Sequence, residues 1–311
     1  MTEQTARTDK HPANQGTVEA NQPQARATHW LQELRGLALM LLGVLAFHSL
    51  VAKPFYIPSI SMMPGLLVGD RLVVSKYPYG WNWSSLSFHL LPRSATRILG
   101  KVPEYGDIVI VVPRNRNADL IKRVVARPGD RIAVIDGRIR LNARFIPREI
   151  EPPVQIAADD HLTCEGQEPG HCYDGFEQYR TRLPSGHEVY ELPTYRETLP
   201  NGASYQTIDY IDQRLDNYPE TIVPEGHVFL MGDDRDRSAD SRAPFYTNSR
   251  GQPDGGLGGP VPLSDIGGRA EFITFSLDGS QSWNPLSWWS ALREGRAFTS
   301  LRPRTDAAKA Y

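Results

Sequence analysis

The sequence predicts an all-β fold behind a single N-terminal transmembrane helix, with an antiparallel β-sheet core interrupted by an inserted β subdomain. Three observations carry this. Gly and Pro together make 51 of 311 residues (26 plus 25), about 16% against a usual ~12%, which favours a turn-rich chain over a helical bundle. One run, residues 30–52, is apolar enough and long enough to span ~30 Å of hydrocarbon. Beyond residue 53 the apolar residues fall in short β-branched runs bounded by Gly and Pro, with no helix-period segment of similar quality.

Taken in order, residues 1–28 lack aromatics and are rich in Thr, Gln, Asn, Ala and Pro. They cannot bury enough apolar surface to offset ordering entropy and read as a disordered tail. Residues 29–53 read as the anchor, with Trp30 at one interface and Arg35 before the apolar run. Arg7, Lys10, Arg26 and Arg35 on the N-terminal flank, against Lys53 on the other, predict a cytoplasmic N-terminus and an exported remainder. A buried core helix interrupted by His48 and Ser49 competes with this reading. So does a cleaved signal peptide ending at Ala52, although Leu50 is large for such a site.

An exported chain lies in an oxidising space, where Cys164 and Cys172 can close one small disulfide loop worth roughly 2–3 kcal/mol. Two unpaired thiols are the alternative. Residues 54–142 read as the first half of the core, with strands at 71–77, 107–112 and 120–126. Asp136-Gly137 between two apolar runs within 131–141 is the strongest hairpin signal in the chain. Residues 143–224, polar and tyrosine-rich, read as the inserted subdomain. Residues 225–280 read as the second half, with strands at 227–231 and 269–276. The segments 77–92 and 283–298, the latter within the C-terminal segment 281–311, are aromatic and mostly uncharged, in keeping with either the membrane interface or ordinary loop packing.

Charge and composition exclude several functions. With 34 basic against 36 acidic residues, the net charge of −2 argues against nucleic-acid binding, which needs a basic excess. Two cysteines and no His-Glu-x-x-His exclude the common zinc sites, and the Gly-rich stretch 251–259 has no following helix start to cradle phosphate. The acid-rich run 232–242 is not a calcium loop. Counted from Asp234, Ala239 stands at the glycine position and Phe245 at the final glutamate. Its interleaved Arg235, Arg237 and Arg242 point instead to internally paired charge. No metal and no cofactor are expected.

Three segments bear chemistry. In Ile57-Pro-Ser-Ile-Ser-Met-Met-Pro-Gly-Leu66, two prolines stiffen a turn that can present a serine, though such a turn can also be a mere linker. Lys122 sits inside the apolar run 120–126. A strand lysine either points to solvent or points inward, where desolvation lowers its pKa towards that of a usable general base. The chain has no Gly-x-Ser-x-Gly elbow, and Ser61 is followed by Met-Met-Pro64 rather than Ser-x-x-Lys. What survives is a serine and a lysine far apart in sequence, a known variant of nucleophile–base pairing.

These residues resemble the bacterial type I signal peptidases, or leader peptidases. The resemblance rests on Pro58-Ser-Ile-Ser-Met-Met-Pro64, Gly106-Asp-Ile-Val, Ile121-Lys-Arg-Val with Pro128-Gly-Asp, the run 232–242, and Val261-Pro262 with Gly268-Arg-Ala270. The motifs span residues 55–275 in the family's order. The resemblance implies a signal-peptidase-like sheet core and a serine endopeptidase that cuts after small residues at −1 and −3 through an acyl-enzyme. It implies Ser61 as nucleophile and Lys122 as base. Ser238 would hydrogen-bond and orient the lysine, while the Ser61 N–H and the Ser59 hydroxyl form the oxyanion hole. Arg123 and the pair Asp240 and Arg242 would give structural support. Phe55, Ile57, Met62, Leu66, Ile110 and Ile121 would line the substrate pockets. The implied partners are signal peptides of preproteins leaving the translocation machinery, and the lipid bilayer of the cytoplasmic membrane.

Departures from the family are Gly65, where Thr is frequent, and Asp234 and Arg237, where Asn is frequent. Residues 243–246 also differ from the usual pattern. The rival readings are a specialised Ser–Lys processing protease of a secretion or conjugation system, and a non-catalytic membrane-tethered module that binds peptides by strand addition.

Overall fold

The computed structural model describes residues 24–85, 92–113, 119–158, 161–165, 167–168, 170–249 and 253–305. The first part of the tail expected over 1–28 lies outside these residues, and from Gln24 the chain is already helical. Gln24–Leu50 forms one helix, of which Trp30–Leu50 is the only segment among the described residues long and apolar enough to cross a membrane. Leu37, Leu39, Met40, Leu41 and Leu42 are all exposed. An apolar surface all round a helix suits lipid rather than a protein core. The described chain divides between Val44 and Leu45 into most of this helix and a β unit that keeps its last turns.

The anchor expected to run to residue 53 stops at Leu50. Ala52–Tyr56 is instead an edge strand, paired antiparallel with Asp70–Ser75. Beyond them the main sheet continues through Ile266–Ser276, Ile108–Val111, Leu120–Ala126, His227–Met231 and Val261–Pro262. Each neighbouring pair in these seven strands is antiparallel. The strand expected over 71–77 ends at Ser75, because Tyr77–Tyr79, with Pro78 early in it, turns as a short 3-10 helix.

Leu120–Ala126 is almost entirely buried. That explains its unbroken apolar sequence: a central strand covered on both faces has no polar side to alternate. Lys122 therefore lies inside the protein, 2% exposed, and the solvent-facing alternative does not hold.

The Asp136-Gly137 hairpin forms as read, joining Arg131–Ile135 to Arg138–Leu141. Both turn residues have positive φ, 48° and 72°, as a type I′ turn requires. Tyr218–Ile222 and Arg144–Phe145 extend the hairpin to four strands. Segment 143–224 also supplies Arg148–Ala157, Arg180–Arg182, Glu188–Thr198 and Ala203–Ile208, which with Arg304–Thr305 make a five-stranded sheet. Its first and last strands thus belong to the hairpin sheet rather than to this one.

Candidate active site

The turn 57–66 is held by its alternating side chains. Ile57, Met62 and Leu66 enter one core cluster with Leu72, Ile110 and Ile121. Ile60 and Met63 enter another with Cys164, Phe176 and Leu192. Backbone bonds from Met63 N–H to the Ile60 carbonyl and from Leu66 N–H to the Met62 carbonyl, both 2.9 Å, close the turn. Ser59 and Ser61 stand between these anchors, so their hydroxyls are placed by apolar burial on both sides.

Cys164 and Cys172 are disulfide-bonded. Their loop abuts the serine turn, since Glu165 N–H donates to the Pro58 carbonyl at 2.9 Å.

Ser61 and Lys122, sixty-one positions apart, meet: Lys122 Nζ donates to Ser61 Oγ at 2.8 Å and to its neighbour's carbonyl, Ile121 O, at 2.9 Å. Both residues are buried. Ser59 Oγ lies 3.5 Å from Ser61 Oγ, and the Ser61 N–H makes no hydrogen bond among the described residues. The Ser61 carbonyl accepts the Asp234 N–H at 3.2 Å.

Ser238 is brought to the same place, but the expected bond to Lys122 is not made. Its buried Oγ has no hydrogen-bond partner among the described residues. A Cβ at Gly232 would stand 2.2 Å from that Oγ and 2.4 Å from the Ser61 carbonyl oxygen. Glycine is the residue that lets the 232–242 loop approach the serine turn this closely.

Behind these groups lies a set of buried charges. Arg123 grips Asp233 through two bonds, Nε to Oδ1 at 2.7 Å and Nη2 to Oδ2 at 2.6 Å, and donates to the Gly106 carbonyl. Its guanidinium also lies 4.3 Å from the Tyr205 ring centre. Asp240 and Arg242 form an ion pair at 2.9 Å, and Asp240 also accepts the Gly232 N–H at 3.0 Å. Burial would push the Asp240 carboxyl up, yet Arg242 and the two backbone N–H groups hold it below the usual carboxylate range. Arg235 pairs with Glu197. Sequence reasoning read Arg235, Arg237 and Arg242 as internally paired. That holds for Arg235 and Arg242 but not for Arg237, whose guanidinium bonds, among the described residues, only the Tyr210 hydroxyl and the Asp174 carbonyl. The same reasoning missed Glu197, Asp233 and Tyr205. Nothing marks Glu197 in a polar strand, while Asp233 was hidden among neighbouring acids.

Asp234 has the opposite fate to Asp240. Fully buried, with Oδ2 unpartnered, it is pushed up to about 8 by desolvation, with Asp236 nearby reinforcing the shift.

A cavity of about 550 Å³ opens on the serine and lysine, lined by Phe55, Ile57, Ser59, Ile110 and Ile121 among others. Met62 and Leu66, expected to line it, do not. Both are fully buried, because the turn needs them as anchors in the core beneath. Four charged residues that the sequence did not assign to this cavity also line it: Asp119, Glu165, Arg237 and Asp254.

Residues 29–275 match the family described as "Signal peptidase, peptidase S26". Among curated relatives, the chain is 30% identical over 267 residues to signal peptidase I of Rickettsia typhi, covering 83% of this chain and 82% of that one. It is 31% identical over 268 residues to the Rickettsia akari protein of the same name, with the same coverage of 83% and 82%. Signal peptidase I of Rickettsia bellii matches at 29% over 289 residues, 89% of this chain and 80% of that one.

Proposed function

The chain belongs to the signal peptidase, peptidase S26, family, and on that premise we propose that it is a membrane-bound serine endopeptidase that removes N-terminal signal peptides from exported preproteins. Ser61 is the nucleophile and Lys122 the general base. The observation that carries this is the 2.8 Å contact between Nζ and Oγ in a buried setting. A general base must be neutral to work, and desolvation favours the neutral amine.

In the first half of the reaction, Ser61 Oγ attacks the scissile carbonyl as Lys122 Nζ takes its proton. The negative charge on the carbonyl oxygen is met by the Ser61 N–H, which has no acceptor among the described residues, and by the Ser59 hydroxyl. Lys122 then gives its proton to the leaving amine, which becomes the new N-terminus of the mature protein. Water, deprotonated by the same lysine, releases the signal peptide from the acyl-enzyme. Preorganised donors of this kind contribute about 10²–10³ in rate each.

Phe55, Ile57, Ile110 and Ile121 give the cavity apolar walls suited to small side chains at −1 and −3. Ser238 orients the lysine in the loaded site, while Arg123, Asp240 and Arg242 stiffen the surrounding loops. The helix is a single-pass anchor in the cytoplasmic membrane, its N-terminus cytoplasmic and the β unit on the exported side. Only ten residues, 51–60, separate its end from Ser61, so a bilayer-held substrate reacts at high effective concentration.

The test is cleavage of a preprotein with an Ala-x-Ala site by the full chain in detergent. Wild type should cut after the second Ala, while Ser61→Ala and Lys122→Ala should each lose about 10⁴-fold or more in kcat. An intact preprotein, or undiminished cutting by Lys122→Ala, would overturn this assignment.

A further inference from the structure

Arg237 stands out among the charges of the reactive cavity. Its Nε donates to Tyr210 Oη at 3.1 Å and its Nη2 to the Asp174 carbonyl at 2.7 Å. The guanidinium also rests 5.7 Å from the centre of the Phe176 ring. Every one of these partners is neutral. The backbone N–H of Arg237 donates to Asp234 Oδ1, but that carboxyl, pushed up to about 8, is mostly protonated at neutral pH. Among the described residues no carboxylate lies within ion-pair distance of the guanidinium. This contrasts with Arg123, Arg235 and Arg242, each paired with a buried acid.

An arginine so held differs from a surface cation. Two of its nitrogens are spent on fixed neutral acceptors, so the plane of the fork is set while the guanidinium has no ion-pair partner among the described residues. It lines the same cavity as Ser61 and Lys122. A carboxylate arriving there gains a charge-assisted bond without having to displace an existing partner. Apart from Lys122, which acts in its neutral form, the other ionisable residues of the cavity, Asp119, Glu165 and Asp254, are acidic and repel such a group, which confines it to the arginine's side.

Resting on the peptidase reading above, we propose that Arg237 is a specificity-determining residue that favours substrates carrying an acidic side chain next to the scissile bond.

The experiment uses the full chain in detergent with three matched peptide sets, in which Ala is replaced by Glu at the second position before the cut, or at the first or second position after it. The readout is the ratio of kcat/KM for each Glu peptide to that for the Ala peptide, taken within one enzyme. For wild type at low ionic strength the ratio should reach about fivefold at one position, and it should shrink in about 0.5 M salt. Arg237→Gln should bring that ratio to about one, and Arg237→Lys should keep part of it.

The wild-type salt dependence stands even if a variant fails to fold. A wild-type ratio near one at all three positions overturns the inference, as does an unchanged ratio in Arg237→Gln. In both cases cleavage of the Ala peptide leaves the peptidase reading in place. If no peptide is cut, both fall.

Discussion

Glu197 and Arg235 form an ion pair whose side chains are both buried, at most 1% exposed. It ties the strand Glu188–Thr198 to the loop that carries Ser238. Arg235 Nη1 donates to Glu197 Oε1 at 3.0 Å, Nη2 bonds Oε2, and Tyr205 Oη donates to the same carboxylate at 2.9 Å. The polar segment 143–224 is thereby joined electrostatically to the loop beside the serine.

Removing one partner of such a pair strands the other in a low dielectric, at a cost of about 3–5 kcal/mol. Glu197→Ala should lower stability by that amount in denaturant melts of the full chain in detergent. Replacing both residues, as Glu197→Met with Arg235→Met, should recover most of the loss. A double variant as unstable as the sum of its single changes would mean that packing, not charge, decides the effect.

Ser238→Ala separates stability from activity. The Ser238 hydroxyl is buried without a partner among the described residues, a state that costs about 1–3 kcal/mol. Deleting it should therefore stabilise the folded chain by up to that amount. If the hydroxyl orients Lys122 once substrate is bound, kcat should fall at the same time, and the acid limb of the pH–kcat profile should move. A variant that is both less stable and fully active would contradict both halves of the argument.

Ser59→Ala should lower kcat by about 10²–10³ with KM little changed, because an oxyanion donor acts on charge that exists only in the transition state. Ser59→Thr keeps the hydroxyl and should recover part of the rate. Equal losses in the Ala and Thr variants would place the effect in the shape of the turn rather than in hydrogen bonding.

The sequence reading succeeds where one local pattern decides the structure. The hairpin at Asp136-Gly137 follows from turn chemistry alone, and the apolar helix from one long apolar run. The pairing of Ser61 with Lys122 came only from resemblance, since no local pattern reports a contact between residues so far apart. The reading fails where one residue type can serve two surroundings. Met62 and Leu66 are apolar neighbours of the nucleophile, and apolarity suits a substrate wall as well as a core anchor. Burial in the turn's own cluster decides between them. Glu197 is illegible for the converse reason: a strand glutamate is ordinarily solvated, and only its tertiary meeting with Arg235 makes it a core residue.

Asp234 supplies a pH-dependent test with a definite sign. Its carboxyl titrates at about 8 in the folded chain because it is desolvated, against about 3.9 for an unfolded aspartate. Between those values the folded state keeps a proton that the unfolded state has released. Stability linked to this group is therefore fully present below about pH 4 and falls as pH rises, by up to about 1.4 kcal/mol per unit, until about pH 8. Asparagine has the same shape and no charge. Asp234→Asn should then match wild type near pH 4 and exceed it by a growing margin towards pH 8. Denaturant melts of both proteins at pH 5, 6, 7 and 8 give the difference directly, cancelling every group that they share. A margin that stays constant across that range would show that Asp234 is ionised throughout in the folded protein, and that its unpartnered oxygen has found a cation or water.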